Sequence, residues 1–195
     1  ALGTAVLHIE APADDTPSLH LLETGGFQVV RKYVSMRWAA GYVPPADPPT
    51  GFRLRSFGAA GDLEALTRLQ NAAFQGNWGF CPNTAQDVDA RLNFTTCDPE
   101  GVLFITHGDR LAAYNWTFRA GTSGWIGMTG VHPDYRGKRL GKAVVLAGMD
   151  YLVSRGVRNI ELESDEQNVQ AVDIYRSTGF DVVRRTLWFE KSLSC

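Results

Sequence analysis

The fold of this 195-residue chain is decided by one stretch, Val131-His132-Pro133-Asp134-Tyr135-Arg136-Gly137-Lys138-Arg139-Leu140-Gly141-Lys142-Ala143. The mostly apolar run before it, residues 125–131, predicts a strand that ends at Pro133, because proline has no N–H group for a sheet ladder. After it, apolar residues recur at offsets of three and four, which predicts a helix with one apolar stripe. Gly137 and Gly141 permit a tight turn, and the helix start offers unpaired N–H groups and the positive end of its dipole. The stretch therefore predicts an anion-binding loop.

A diphosphate fits such a loop, because it accepts several N–H bonds at once and Arg136, Lys138 and Arg139 add positive charge. Known nucleotide loops do not match. The spacing from Gly137 to Gly141 is one residue short of a Walker loop and lacks its Ser or Thr, and the chain has no G-x-G-x-x-G. The alternative is a plain strand-to-helix connection with basic surface residues.

The stretch resembles the coenzyme A loop of the GNAT superfamily of N-acetyltransferases, V-x-P-x-x-R-G-x-G-x-G/A, with Arg139 where that family usually has glycine. A second stretch, residues 168–180, looks like the family's N-x-x-A-x-x-x-Y-x-x-x-G-F. The resemblance implies that Asn168 contacts coenzyme A, that Tyr175 lies near its sulfur, and that strand backbone holds the acetyl carbonyl and the pantetheine arm. The implied coenzyme-binding residues are Met128, Thr129, Val131, Arg136, Gly137, Lys138, Arg139, Leu140, Gly141, Lys142, Asn168 and Tyr175.

The implied chemistry assigns two candidate catalytic residues. When an amine attacks a thioester, the leaving thiolate needs a proton, and a well-placed tyrosine such as Tyr175 can supply it. The alternative for Tyr175 is a core position on an amphipathic helix. Glu163 is the candidate base, with Glu161 and Asp165 beside it, but these residues also fit a solvated strand face, and deprotonation through water is favoured over Glu163. Gly127 and Gly130 permit the strand irregularity that would free backbone N–H groups for the thioester oxygen.

The acceptor pocket is expected opposite the coenzyme, between the loop of the first two helices and the hairpin strands. Aromatic residues there favour an acceptor with apolar or cationic parts, although the aromatics of the loop could equally be a plug of the core. The candidates are Asn77, Trp78, Phe80, Tyr114, Trp116 and Trp125.

Composition limits the function classes. The chain is 44% hydrophobic and 21% charged with a net charge of −2, which is ordinary for a globular protein and argues against a nucleic-acid partner. No apolar run approaches the roughly 18 residues of a membrane span, so a cytoplasmic protein is expected. Cys81, Cys97 and Cys195 are scattered without metal spacing and predict reduced thiols, and no metal is expected.

An internal repeat organises the two ends of the chain. Residues 24–32, TGGFQVVRK, parallel residues 177–185, STGFDVVRR, and each follows a strand and a short helix. We therefore expect residues 1–40 to be the C-terminal fragment of a first GNAT-like domain, a strand, a helix and a hairpin, which docks on the rest of the chain or on a second copy in a homodimer. Residues 41–50, with four prolines, are predicted to be a linker, and residues 51–195 a complete GNAT domain like those of tandem members of the family.

The remaining elements predict an α/β (α+β) fold, a mixed twisted sheet flanked by helices. Asp62 is expected to cap the first helix of the second domain, Ser164-x-x-Gln167 to be the capping box of the last helix, and residues 180–190 to form a closing hairpin. The strand of residues 157–162 should pair in parallel with the strand of residues 125–131.

The predicted function is acetyl transfer from acetyl-CoA to a primary amine of a small molecule or peptide by direct attack. A degenerate acyl-CoA-binding or sensing module and an interaction domain are the rivals.

Overall fold

The computed structural model describes residues 5–39 and 41–193, which form one sheet flanked by helices. Cys195, predicted to be a reduced thiol, lies outside the described residues. The strands are β1 (Ala5–Pro12), β2 (Gln28–Ala39), β3 (Arg53–Ser56), β4 (Cys97–His107), β5 (Arg110–Ala120), β6 (Ser123–Val131), β7 (Asn159–Asp165) and β8 (Asp181–Leu193). The helices are α1 (Thr16–Thr24), α2 (Asp62–Phe74), α3 (Ala85–Leu92), α4 (Leu140–Ser154) and α5 (Val169–Ser177), with a 3-10 turn at Pro133–Tyr135.

The sheet has eight strands in the order β1-β8-β2-β7-β6-β5-β4-β3. The β6 and β7 strands are parallel, as expected for two strands joined by a helix, and the other pairs are antiparallel. The α/β class with a mixed sheet is therefore confirmed. Among the described residues, no helix is long and apolar enough to cross a membrane.

Two helix pairs cover the two faces of the sheet. Leu66 and Leu69 of α2 and Val88 of α3 pack on alternate residues of β4 and β5, which forms one part of the core. On the other face, α4 packs on β4, β5 and β6, and together with α5 it covers β2 and β7, with Met149 and Val172 among the buried residues. This layering leaves the β6 and β7 strands between the two helical layers, where the candidate site lies.

Two predicted hairpins are single strands in the structure. The region 27–38 forms the 12-residue β2, and the region 180–190 forms the 13-residue β8. Neither strand contains an internal glycine or proline, so nothing in them favours a turn. The two strands instead pair with each other, and β2 lies between β8 and β7. The hairpin predictions are wrong because each partner lies in the distant half of the chain.

Two predicted helix caps are also wrong. Ser164 belongs to β7, because β7 pairs with β2 as far as Asp165. The cap of α5 is instead Asn168, whose Oδ1 accepts a hydrogen bond from the Ala171 N–H at 3.2 Å. Gly61 rather than Asp62 precedes α2 as its cap. The Asp62 carboxylate instead accepts bonds from the Arg55 guanidinium, both at 2.7 Å, and from two N–H groups of the preceding turn.

The N-terminal segment is part of the same sheet as the rest of the chain. Its strands β1 and β2 pair along most of their length with β8 and β7. Residues 41–49 contain no helix or strand. The assignment of residues 1–40 and 51–195 to two homologous domains stays a prediction.

Candidate active site

A cleft opens where β6 and β7 separate. The two strands pair only from Ser123 opposite Asn159 to Trp125 opposite Glu161, although β6 continues to Val131. Beyond Trp125, the edge of β6 that faces β7 therefore has no strand partner. Met128, Thr129 and Val131, the predicted backbone contacts, all lie in this unpaired part.

Two glycines shape this part of β6. Gly127 sits in a bulge opposite β5, between the pairs Trp116–Met128 and Thr117–Ile126. A Cβ at Gly127 would lie 2.4 Å from Phe118, and one at Gly130 would lie 2.6 Å from Tyr114. The expected irregularity is present, and neither position has room for a side chain.

The loop after β6 brings backbone N–H groups to the start of α4. Gly137 has φ +77°, and Arg139 has φ +61°, so the arginine adopts the left-handed conformation for which glycine is usually required. The first helical bond joins the Ala143 N–H to the Arg139 carbonyl at 3.4 Å, which leaves the N–H groups of the first turn directed out of the helix. The loop geometry thus fits the predicted anion site.

The basic side chains of this loop differ in how they are engaged. Arg136 donates to the carbonyl of Ala73 at 2.9 Å, and Lys142 to the carbonyl of Ser177 at 3.2 Å. Lys138 lies over the Phe52 and Tyr135 rings, 5.9 and 5.6 Å from their centroids. Within residues 5–39 and 41–193, Arg139 makes no side-chain hydrogen bond or ion pair. Arg139 is thus the cation of the loop that is available to an anion.

Tyr175 projects from α5 into the core beside β6. Its side chain is only 8% exposed, and its ring packs on Phe180 at 6.1 Å between centroids. Burial raises the pKa of Tyr175, and the nearby Thr129 side chain opposes that rise. The Thr129 Oγ1 in turn accepts a bond from the buried Asn115 amide at 2.9 Å. The structure thus brings two predicted site residues, Tyr175 and Thr129, together.

Asn168 lies at the exposed start of α5, where its Oδ1 caps the helix. The cap occupies its side-chain oxygen and leaves its amide donors for another partner. The loop and α5 approach each other closely, since a Cβ at Gly141 would lie 3.0 Å from Ile174. The two sequence motifs therefore meet at one end of the cleft.

A cavity of about 360 Å³ lies beside the cleft on the α2 and α3 face of the sheet. Glu163, which lines it, is two residues beyond the last β6–β7 pair at Glu161, so the cavity adjoins the point where the strands separate. Its Oε1 accepts a bond from Ser35 Oγ at 3.0 Å and lies 3.6 Å from Arg184 Nη2. The lining residues are His8, Glu10, Tyr33, Trp78, Gly79, Glu163, Thr186 and Trp188.

The structure divides the predicted acceptor residues. Trp78 lines the cavity, while Asn77 and Phe80 belong to the same loop between α2 and α3 but are not lining residues. Tyr114 and Trp116 are 0% and 1% exposed in the core under α2, so their assignment to the pocket is corrected. Strand alternation turns both rings toward α2, where they fill the core. Trp125, 36% exposed and opposite Glu161, lies outside the cavity lining.

Besides Gly79 of the predicted loop, five cavity residues were not predicted from the sequence: His8, Glu10, Tyr33, Thr186 and Trp188. They lie on β1, β2 and β8, and the first three belong to the segment expected only to dock. The internal repeat was the signal that could have found them, because it relates β1 to β7 and β2 to β8. In the described part of the chain, no three His, Cys, Asp or Glu side chains cluster as metal ligands.

Comparison with known proteins identifies one family and several relatives. Residues 63–180 match the model of the acetyltransferase (GNAT) family. The chain is 36% identical to the mycothiol acetyltransferase of Actinosynnema mirum over 158 residues, 80% of this chain and 53% of the relative. It is 33% identical to that of Renibacterium salmoninarum over 190 residues, 92% and 56% of the two chains. The chain thus spans about half the length of the curated relatives it matches.

Solved structures agree on the fold. The chain superposes on a GCN5-related N-acetyltransferase from Sphaerobacter thermophilus with a TM-score of 0.86 and 26% identity, covering 97% of this chain and 60% of that one. A tandem GNAT protein from the clavulanic acid biosynthesis pathway gives 0.71 at 19% identity, covering 98% and 65%. The second likeness concerns the fold alone.

Proposed function

The chain belongs to the acetyltransferase (GNAT) family, and from that premise we propose that it transfers an acetyl group from acetyl-CoA to a primary amine by direct attack. The observation that carries the proposal is the cleft between β6 and β7, with the α4 helix start at one end and Tyr175 beside Thr129. Members of this family use acetyl-CoA as the donor. The adjoining cavity of about 360 Å³ favours a small molecule over a peptide as acceptor.

We assign donor binding to the loop and to the backbone of β6. The N–H groups at the start of α4, from Leu140 to Lys142, bind the diphosphate together with Gly137 and Arg139. The backbones of Met128, Thr129 and Val131 hold the pantetheine arm and the acetyl carbonyl. The described residues fit this donor, because β6 offers an unpaired backbone edge and the loop offers N–H groups and an uncommitted guanidinium.

In the transfer step, the amine nitrogen bonds to the acetyl carbon, and negative charge develops on the thioester oxygen. Backbone N–H groups of β6 stabilise that charge, as prearranged donors do in other acyl transfers. The carbon–sulfur bond then breaks, and Tyr175 gives its proton to the leaving thiolate. Water removes the proton of the amine, since Glu163 is already engaged with Ser35 and Arg184, and solvent returns a proton to the Tyr175 oxygen after the products leave.

Arg139→Gly tests the loop assignment. We expect acetyl-CoA to bind about 5-fold more weakly, because a cation near the diphosphate is lost, and this difference should shrink at high salt. The free energy of unfolding should rise by no more than about 1 kcal/mol, because glycine relieves the left-handed strain. Calorimetric titration with acetyl-CoA at two salt concentrations and urea denaturation measure the two effects. Equal affinity of both proteins would remove Arg139 from the site.

The proposed activity is tested by incubating the protein with acetyl-CoA and a panel of small primary amines. Acetylated amine is detected by mass spectrometry, which avoids thiol reagents that would also react with the exposed Cys81. The relatives named mycothiol acetyltransferases suggest starting with amines related to mycothiol. Acetyl-CoA binding without transfer to any amine would favour the binding module over the enzyme.

Trp78→Ala tests the acceptor side with the best amine from that panel. We expect the acceptor kcat/KM to fall about 10-fold, corresponding to about 1.4 kcal/mol, because the indole forms a wall of the cavity. The KM for acetyl-CoA should stay unchanged. Trp125→Ala, at an exposed position outside the cavity, is the matched control, and an equal loss in both variants would contradict the assignment.

Homodimer formation and a cytoplasmic location also stay predictions.

A further inference from the structure

The half of the sheet formed by β1, β8, β2 and β7 is internally symmetric. In the sequence repeat Phe27 corresponds to Phe180, an offset of 153 residues, and the same offset carries the bounds of α1 onto those of α5. In the β2–β8 ladder, Tyr33 is paired with Thr186, its own counterpart at that offset. This pair therefore lies on a pseudo-twofold axis.

The pairing register follows the same symmetry away from the axis. The β2–β8 ladder has two irregularities, one on each side of Tyr33. The offset of 153 residues relates the irregularity on one side to the irregularity on the other. On the flanks, Glu10 of β1 pairs with Trp188 of β8, and its counterpart Glu163 of β7 pairs with Ser35 of β2. The two glutamates occupy equivalent positions in the two halves.

The cavity beside the cleft lies over this axis. Its lining includes both equivalent glutamates, Glu10 and Glu163, and the axial pair Tyr33 and Thr186. Three of its eight lining residues, His8, Glu10 and Tyr33, therefore belong to the N-terminal segment. Sequence differences between the two halves, such as Tyr33 against Thr186, shape it for an asymmetric ligand.

The charges of the lining favour a cation. The lining residues include two carboxylates and no lysine or arginine. Glu163 is engaged with Ser35 and Arg184, whereas Glu10 makes no side-chain hydrogen bond or ion pair within residues 5–39 and 41–193. Glu10 is thus the carboxylate that remains available to a ligand.

Aromatic rings surround the same space. The Trp78 ring lies 5.2 Å from the His8 ring and 5.5 Å from the Trp188 ring, both edge to face. The Arg31 guanidinium lies 5.7 Å from the Trp78 centroid, so this indole already contacts one cation. Asp165 forms an ion pair with the same guanidinium at 3.9 Å. Such rings attract ammonium groups and pack on the carbon atoms beside them.

We propose that the cavity binds the acceptor as an organic ammonium ion, with Glu10 of the N-terminal segment as its charge partner and the Trp78 and Trp188 rings as its walls. Calling the bound cation the acceptor rests on the proposed function. Binding of the cation itself does not, since it is measured without acetyl transfer. It makes the N-terminal segment a determinant of acceptor specificity.

Calorimetric titration with benzylammonium chloride at neutral pH, and with benzyl alcohol as the uncharged analogue, tests the proposal on the full chain. We expect wild-type protein to prefer the cation, and Glu10→Gln to weaken cation binding about 5-fold without changing the affinity for the alcohol. Glu23→Gln, an exposed glutamate of α1 in the same segment, is the matched control and should behave as wild type.

Equal binding of the cation and the alcohol, binding of neither at tens of millimolar, or full cation affinity in Glu10→Gln would each overturn the proposal. Failure of the proposed function gives a different result, since acetyl transfer would then be absent while cation binding and its dependence on Glu10 persist. Transfer that persists in Glu10→Gln with an unchanged acceptor KM would retain the enzyme and reject this site.

Discussion

Tyr175→Phe is expected to lower kcat about 100-fold while acetyl-CoA binding stays within twofold of wild type. The substitution removes one oxygen and its proton from a side chain that is only 8% exposed. The ring keeps its contact with Phe180, so the fold and the donor site should be conserved. Initial rates with saturating acetyl-CoA and calorimetric titration with acetyl-CoA measure the two quantities.

The size of this effect follows from the proton that the leaving group needs. A coenzyme thiolate with a pKa near about 8.5 leaves more easily when a proton is placed on its sulfur, and a tyrosine has an ordinary pKa of about 10. Burial raises the pKa of Tyr175 further, and the nearby Thr129 side chain opposes that rise, so the hydroxyl keeps its proton through neutral and mildly alkaline pH. The wild-type rate should therefore not fall through ionisation of Tyr175 below about pH 10.

Tyr42→Phe is the matched control, because this tyrosine is 79% exposed on the connection between the two segments. It should keep the wild-type rate. Full activity in Tyr175→Phe would reject the acid assignment and favour the alternative, in which the tyrosine is a core residue of α5. Equal losses of acetyl-CoA affinity and of kcat would instead place its role in binding.

The parts of the site that depend on neighbouring residues were predictable from the sequence. The strand, turn and helix around Gly137, the helix that carries Tyr175 and the parallel pairing of β6 with β7 each follow from local patterns or short connections. Arg139 stands where the family usually has glycine, and its backbone adopts the left-handed conformation that glycine favours.

The parts that depend on distant residues were not predictable in the same way. Tyr114 and Trp116 were assigned to a pocket by residue type, whereas their strand faces place them under α2. Both hairpin predictions assumed that a strand pairs with its neighbour in sequence, whereas β2 lies between β7 and β8. Local sequence patterns do not indicate which distant strands pair with each other. For that reason the cavity residues of the N-terminal segment were not predicted.

Trp38→Ala is expected to lower the free energy of unfolding by about 3–5 kcal/mol, because a large buried side chain is removed from the core. Trp38 is 5% exposed, lies on β2 with Val34 and Met36, and packs in the core cluster of α4 and α5. A Cβ added at Gly179, two residues after α5, would lie 3.2 Å from its ring. Urea denaturation followed by circular dichroism measures the loss.

The shape of the transition decides between two views of the N-terminal segment. If β2 were a docked remnant, Trp38→Ala would release residues 5–39 in a separate early step and leave the remaining sheet to unfold at its wild-type midpoint. Because β2 is the strand that joins β7 to β8, its loss would also divide the sheet, and we expect one cooperative transition at a lower midpoint. Leu21→Ala on α1, where the leucine is 72% exposed, should leave the midpoint unchanged. A loss below about 1 kcal/mol in Trp38→Ala, or two separated transitions, would show that the sheet does not depend on β2.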